Sequence, residues 1–174
     1  EVFDQDDEKV AIATVLTMVA KKSPFADITR KNVEVYLAKL TEQSTAKWGI
    51  MTPQRMVEHL THGLHSAVNK IKLDVHTPEK HLEKYTDSLY NYYPFPKNSK
   101  TPVLEDGVLA DLEYSDLKEA KAKFLEAFDA FELYYKENPD ATANNAVFGA
   151  LDKDLWDLMN RKHFNHHFEQ FGIL

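Results

Sequence analysis

The pattern of apolar positions is clearest at the end of the chain, where it predicts a helix from Lys153 to Phe171. At about 100° per residue, one side of this helix collects both apolar and polar side chains. The members of this stripe are Leu155, Trp156, Met159, His163, His166, His167 and Gln170. Three imidazoles therefore lie on the side expected to face the interior, where a polar ring loses free energy unless it finds a partner.

Helical spacing of apolar residues recurs upstream. It predicts a helix from Thr29 to about Gln43, and Thr52-Pro53 supplies a cap and a first-turn proline for the next one. A short helix should run from Thr77-Pro78 to about Tyr90, and a long one from a Ser115 cap to about Glu137. The inward stripe of that long helix is predicted to be Leu117, Ala120, Phe124, Ala127, Phe128, Phe131 and Tyr134.

The remaining segments add little regular structure. The spacing of apolar residues from Asp6 to Lys22 predicts a short amphipathic helix. No alternating pattern typical of a strand is evident in the sequence. We therefore predict an all-α fold with four substantial helices and additional short N-terminal and mid-chain helices. Residues 1–28 would form an N-terminal extension or linker remnant, and residues 29–174 the helical domain. Because the sequence begins at Glu1 without an initiator methionine, we expect a processed product or a piece of a longer protein.

Composition narrows the chemistry. The chain has 174 residues and a net charge of −7, which argues against binding nucleic acid through phosphate neutralisation. The sequence has no cysteine, so metal-capable side chains are limited to histidine and carboxylates, and thiolate catalysis is excluded. The lack of disulfides fits a cytoplasmic location, and no apolar run reaches the roughly 20 residues that span a bilayer. We expect neither a nucleic-acid nor a membrane partner.

A metal site is one interpretation of the histidine pattern. His163 and His167 lie four residues apart, so their rings stack one turn above the other and can reach one ion. A third ligand is needed, and His59 flanks the inward stripe of the helix that starts at Thr52-Pro53. Its neighbours His62 and His65 turn toward the polar face. The alternative is that these are core histidines bonded to carbonyls or carboxylates.

Two motifs resemble the DinB-like superfamily. The segment from Trp48 to Leu60 reads WGIMTPQRMVEHL and resembles the start of the second bundle helix in that superfamily. Phe148-Gly149, Trp156 and the segment from His163 to Gly172 resemble features around its last helix. The similarity extends over roughly Thr29 to Leu174 and is nearest to a branch without an assigned function.

The resemblance implies a four-helix bundle in which three histidines bind a divalent metal ion. Carried over to this sequence, the ligands are His59, His163 and His167, with zinc or nickel as the expected ion and iron or manganese compatible with the ligand type. His166 matches a neighbour that is not usually a ligand. Gln170 matches a recurrent glutamine, which suggests a role beside the ligands. Further candidates near the site in sequence are Glu58, Asn165 and Glu169.

The resemblance also implies an activity. A metal-dependent hydrolase is expected first, and a thiol S-transferase or a domain associated with CoA-linked aromatic (phenylacetate) ring opening is the alternative. A non-catalytic bundle for ligand binding or dimerisation is a third interpretation, and a homodimer is compatible with each. The aromatic, proline-rich segment with Tyr92, Tyr93 and Phe95 is either a pocket rim for a small-molecule substrate or a cover over the bundle.

Overall fold

The computed structural model describes residues 23–98 and 111–174, together with the backbone of two paired strands, β1 (Val2–Phe3) and β2 (Lys9–Val10). Over these residues the chain is mainly helical, as predicted. The helices are α1 (Arg30–Ala38), α2 (Pro53–Ala67), α3 (Glu79–Asp87), α4 (Leu117–Glu137) and α5 (Lys153–Gln170). A single turn of 3-10 helix, Ser88–Tyr90, extends α3 to the predicted end.

The helix starts follow from capping side chains. Thr29, Thr52 and Asp152 each accept a hydrogen bond from the backbone N–H three residues on, at the starts of α1, α2 and α5. The Ser115 cap predicted for α4 is wrong. Asp116 caps this helix, whereas Ser115 donates its backbone N–H and its hydroxyl to the Glu119 carboxylate.

Helix α1 ends earlier than its apolar pattern predicts. Its last turn tightens, because the backbone N–H of Leu40 bonds to Leu37 O at 3.1 Å, three residues back. The hydroxyl of Ser44 then accepts from the N–H of Thr41 at 2.9 Å and closes a turn. Side-chain hydrogen bonds of this kind compete with the helix, so the chain leaves α1 at Ala38 rather than Gln43.

The core lies among α1, α2, α4 and α5 and is rich in aromatic rings. Phe124 of α4 meets Phe164 of α5 edge-on, with ring centroids 5.4 Å apart. The prediction that Tyr134 belongs to the inward stripe of α4 differs from the structure. Tyr135 is buried there, and Tyr134 is only half-buried. The hydroxyl of Tyr135 donates to Ala67 O at 2.9 Å, which fixes that ring against the end of α2.

The expectation of no strand is wrong for residues 143–151. Strands β3 (Ala143–Asn145) and β4 (Gly149–Leu151) form an antiparallel hairpin. Its turn is held by the side-chain oxygen of Asn145, which accepts from the backbone N–H groups of Val147 and Phe148. Each strand has three residues, too few to show an alternating pattern in the sequence.

The N-terminal part is described in fragments. The predicted helix from Asp6 to Lys22 lies outside the described residues except for Lys9–Val10, which are extended. Nearer the domain, the backbone of Ala26 exchanges two hydrogen bonds with the side-chain amide of Asn165, at 2.8 and 3.1 Å. No helix in residues 23–98 and 111–174 has the length and apolar character needed to cross a lipid bilayer.

Candidate metal centre

Three histidines from distant parts of the sequence converge between two helices. His59 comes from α2, and His163 and His167 come from successive turns of α5. The Nε2 atoms of His59 and His163 are 2.9 Å apart, and the ring centroids of His167 lie 4.9 Å from both other rings. One nitrogen from each ring lies within 4.8 Å of the others, close enough for all three to bind one ion.

The helices fix these side chains before any ion is present. Pro53 and the Thr52 cap set the start of α2, and the fully buried Met56 and Leu60 hold the turn that carries His59. On α5, Phe164 and Phe168 are fully buried next to His163 and His167. The sequence thus positions the rings through apolar packing on either side of each one, which restricts their rotamers.

The three imidazoles are neutral at ordinary pH. Burial, reinforced by the nearby His62 and His166, lowers the pKa of His59 to about 4. Burial, with His59 close by, lowers the pKa of His167 to about 3, although its bond to Gln170 acts in the opposite direction. Burial and the two other rings bring the pKa of His163 well below its usual 6.5. Neutral imidazoles carry the lone pairs that a metal ion requires.

Gln170 determines the tautomer of His167. Its Nε2 donates to the backbone oxygen of Trp48 at 2.7 Å, so its Oε1 must face Nδ1 of His167, 2.8 Å away. An amide oxygen only accepts, and Nδ1 therefore carries the hydrogen while Nε2 presents a lone pair. A side chain that orients a metal-binding imidazole typically makes this kind of bond.

Gly49 makes room for that contact. Its φ is +76°, a backbone conformation that side chains disfavour, and a Cβ built on it would lie 2.8 Å from the Gln170 Nε2. The segment also bonds to the end of α5 through Lys47, whose N–H donates to Gln170 O at 2.7 Å. The connection before α2 therefore holds both the backbone and the side chain of Gln170.

His163 lacks an equivalent partner. Its Nδ1 is buried and has no hydrogen-bond partner in the described part of the chain. Gly63 of α2 faces this nitrogen, and a Cβ built on it would lie 3.8 Å away. The ring is thus placed by packing and by His59, which differs from the hydrogen-bonded setting of His167.

The donor set fits a divalent ion. In tetrahedral coordination, bonds of about 2.0–2.1 Å from one ion to two imidazoles place their nitrogens about 3.3–3.4 Å apart, so binding an ion requires the Nε2 atoms of His59 and His163, 2.9 Å apart, to separate by a few tenths of an ångström. Three neutral ligands leave the full charge on the ion and leave coordination positions for other groups.

Glu58 does not join the three histidines. Its buried carboxylate accepts from Gln54 Nε2 at 2.9 Å and from the backbone N–H groups of Glu113 and Tyr114, at 2.8 and 3.3 Å. It therefore ties the segment before α4 to α2. The half-exposed His62 also contacts a residue outside the cluster, since its Nε2 lies 2.9 Å from a carboxylate oxygen of Glu113.

His166 stands beside the cluster without entering it. Its ring lies 5.0 Å from that of His167 and 5.6 Å from that of Trp48, and it bonds to the backbone of Phe95. Burial lowers its pKa. Of the three aromatic candidates Tyr92, Tyr93 and Phe95, the two tyrosines lie nearer the protein surface, since their side chains are 46% and 77% exposed.

Sequence reasoning overlooked two contributors to this region. Trp48 supplies the carbonyl that orients Gln170, and Lys97 places its Nζ 4.2 Å from the centre of the Trp48 ring. The Trp48-Gly49 pair lay within a recognised motif, but every residue has a backbone carbonyl, so the sequence cannot indicate that this one accepts a hydrogen bond. The contact of Lys97 could not be predicted, because no helical or strand periodicity relates it to Trp48, which lies 49 positions earlier in the sequence.

Comparisons with known proteins returned no match: no family model fits the chain, and neither the curated proteins nor the solved structures gave a significant hit.

Proposed function

We propose that this protein is a metal-dependent hydrolase acting on a small-molecule substrate. The observation that carries the proposal is the convergence of His59, His163 and His167, three neutral imidazoles with no carboxylate among them. A divalent ion in such a setting acts as a Lewis acid that can activate water and polarise a carbonyl group. Zinc is the first candidate ion and nickel the second.

The chain's own residues support this chemistry in three ways. The low pKa values of His59 and His167 keep the ligand nitrogens unprotonated well below neutral pH. Gln170 holds the lone pair of His167 toward the other two rings. His59 and His163 are half-buried rather than fully buried, so the cluster keeps some contact with solvent.

The resemblance to DinB-like proteins adds a second line of support. We propose that α1, α2, α4 and α5 correspond to the four helices of that bundle and that the three histidines correspond to its metal ligands. The contact between Trp48 and Gln170 joins the two motifs on which the resemblance rests. A thiol S-transferase of the same kind is the alternative activity, and it shares the metal site.

The deciding experiment begins with metal content. Protein purified without a histidine tag should contain close to one zinc or nickel per chain by elemental analysis. The loaded protein should then hydrolyse members of an ester and amide panel, with loss of turnover after chelation and recovery when the metal is restored. A parallel panel with low-molecular-weight thiols tests the S-transfer alternative.

A matched pair of variants makes the result specific. His163→Ala should abolish both metal binding and turnover, whereas His65→Ala, which changes another histidine outside the cluster, should preserve both. Absence of metal binding by the wild type contradicts the site itself. Stoichiometric metal without turnover on either panel contradicts the enzymatic proposal and favours a structural ion.

A further inference from the structure

Lys162 of α5 is a buried cation without a counter-ion in the described part of the chain. It is 4% exposed, and its Nζ donates to Ser88 O at 2.7 Å and to the side-chain oxygen of Asn91 at 2.9 Å. Both acceptors are neutral. An ammonium group has three hydrogens, so one donor remains after these two bonds. The rings of Phe25 and Phe95 lie 5.9 and 6.0 Å from Nζ and offset part of the cost of burying this charge. Neither supplies an opposite charge, so an added anion would be stabilised here.

The lysine lines a cavity of about 170 Å³. The wall holds a second cation, Arg161, and its remaining described members are Ser23, Phe25, Leu89, Tyr90, Asn91, Tyr92 and Leu158. None of these is acidic. The guanidinium of Arg161 makes no hydrogen bond or ion pair with residues 23–98 or 111–174, so its donors are open to a ligand.

The rest of the wall defines the shape of that ligand. Phe25, Tyr90 and Tyr92 supply ring surfaces, and Leu89 and Leu158 are aliphatic. The cavity is smaller than the roughly 300 Å³ at which pockets for drug-sized molecules begin. A single ring with one anionic group matches the size of the cavity and the mixture of cationic and apolar residues in its wall.

This cavity is separate from the histidine cluster. At about 100° per residue, Leu158 and Arg161 project from the side of α5 away from His163 and His167, and Lys162 projects from the flank next to it. None of the three clustered histidines lines it.

We propose that the cavity is a binding site for a small aromatic carboxylate, with Arg161 and Lys162 contacting the carboxylate and the rings enclosing the apolar part. Arginine suits this role because its planar fork of donors matches both carboxylate oxygens. The site is independent of the proposed hydrolase activity and does not require a metal ion.

Titration calorimetry with benzoate on chelator-treated full-length protein tests the proposal. Benzoate should bind with one site per chain and at least about tenfold more tightly than benzamide, which has the same shape without the charge. Inorganic phosphate should bind more weakly than benzoate, because it cannot use the aromatic wall. Chelator treatment excludes a benzoate that coordinates a metal ion at the histidine cluster.

Two variants at Arg161 separate charge from packing. Arg161→Met should weaken benzoate binding about tenfold or more, while Arg161→Lys should recover part of that loss. His167→Ala, which alters the other side of α5, should leave benzoate binding unchanged. Lys162→Met gives a second test if the variant retains its helical circular dichroism.

The proposal is overturned if wild-type protein binds no benzoate, or if benzamide or phosphate binds equally well. It is also overturned if Arg161→Met binds benzoate like the wild type.

Discussion

The two sides of α5 differ in the charge of their buried polar groups. On one side His163 and His167 meet His59 as neutral rings, and burial lowers their pKa values so that no charge is left inside. On the other side Lys162 has only two neutral oxygen acceptors, and Arg161 lines the same cavity. One helix therefore presents lone pairs to one face and positive charge to the other.

The difference indicates which ligand each side can take. Lone pairs attract a cation, whereas unpaired N–H donors attract an anion. Burial alone does not distinguish them, since His167 and Lys162 are both less than a tenth exposed. What distinguishes them is whether the side chain loses its proton under ordinary conditions, which an imidazole with an ordinary pKa of about 6.5 does readily and a lysine ammonium with one of about 10.4 does not.

The largest expected effect comes from deleting a ring of the histidine cluster. His167→Ala should weaken zinc binding by about 100-fold or more, because it removes one of three ligands, a larger loss than disturbing a supporting residue. Calorimetry and elemental analysis measure the change. His62→Ala, which removes a histidine on α2 outside the cluster, is the control and should bind zinc like the wild type. Equal affinity in both variants would show that the three rings do not act together.

Removing the support of one ring should have a smaller effect. Gln170→Leu takes away the acceptor for Nδ1 of His167 and should reduce zinc affinity by about 10- to 100-fold. Gly49→Ala should also reduce zinc affinity, since its Cβ would crowd the Gln170 Nε2. Zinc titrations compare both with the wild type. Unchanged affinity in Gln170→Leu would mean that packing alone orients His167.

The neutral state of the cluster predicts a pH dependence of the metal-free protein. The pKa values of His59 and His167 are about 4 and about 3 in the folded chain, against about 6.5 when unfolded. The unfolded state then binds more protons between these values, so folding stability is fully present above pH 6.5 and declines as pH falls toward 4.

Denaturant melts of chelator-treated protein at pH 7, 6 and 5 measure this decline. His167→Gln should show a shallower slope against pH, because one of the groups that resist protonation is gone. A wild-type free energy of unfolding that stays constant from pH 7 to 5 would contradict the neutral, buried cluster.

The smallest effect concerns the unpartnered nitrogen of His163. Gly63→Ser places a hydroxyl next to Nδ1, where a Cβ would stand 3.8 Å away, and should tighten zinc binding by about 3- to 10-fold by supplying an acceptor. Gly63→Ala is the control without the hydroxyl, and it gains about 1 kcal/mol in helix propensity, against roughly half of that for Gly63→Ser. Equal zinc affinity in the two variants would show that the hydroxyl does not reach the ring.

Much of the fold could be read from the sequence because its signals are local. The Thr52 cap with Pro53 and the helical pattern that begins at Lys153 gave helix starts that the structure confirms. The error at Ser115 arose because Ser115 and Asp116 are both good caps, and only the position of the Glu119 carboxylate decides between them. Strands of three residues were missed because so short a segment has no recognisable period.

The candidate site was predictable in part. The stripe on the last helix and the flank position of His59 selected the residues that the structure brings together. Which partners Glu58 has could not be read from its position next to His59, because neighbouring residues on a helix point in different directions, and its carboxylate bonds to Gln54 and to the segment before α4.

The sequence by itself determined which side chains share a face of each helix, since the helical period follows from local backbone geometry. It also excluded thiolate chemistry, because the chain contains no cysteine. Only the tertiary structure decided that Gln170 reaches Trp48, that His163 lacks a partner, and that Lys162 and Arg161 enclose a cavity. These contacts join positions far apart in the chain, and such pairings depend on how the helices pack rather than on any local pattern.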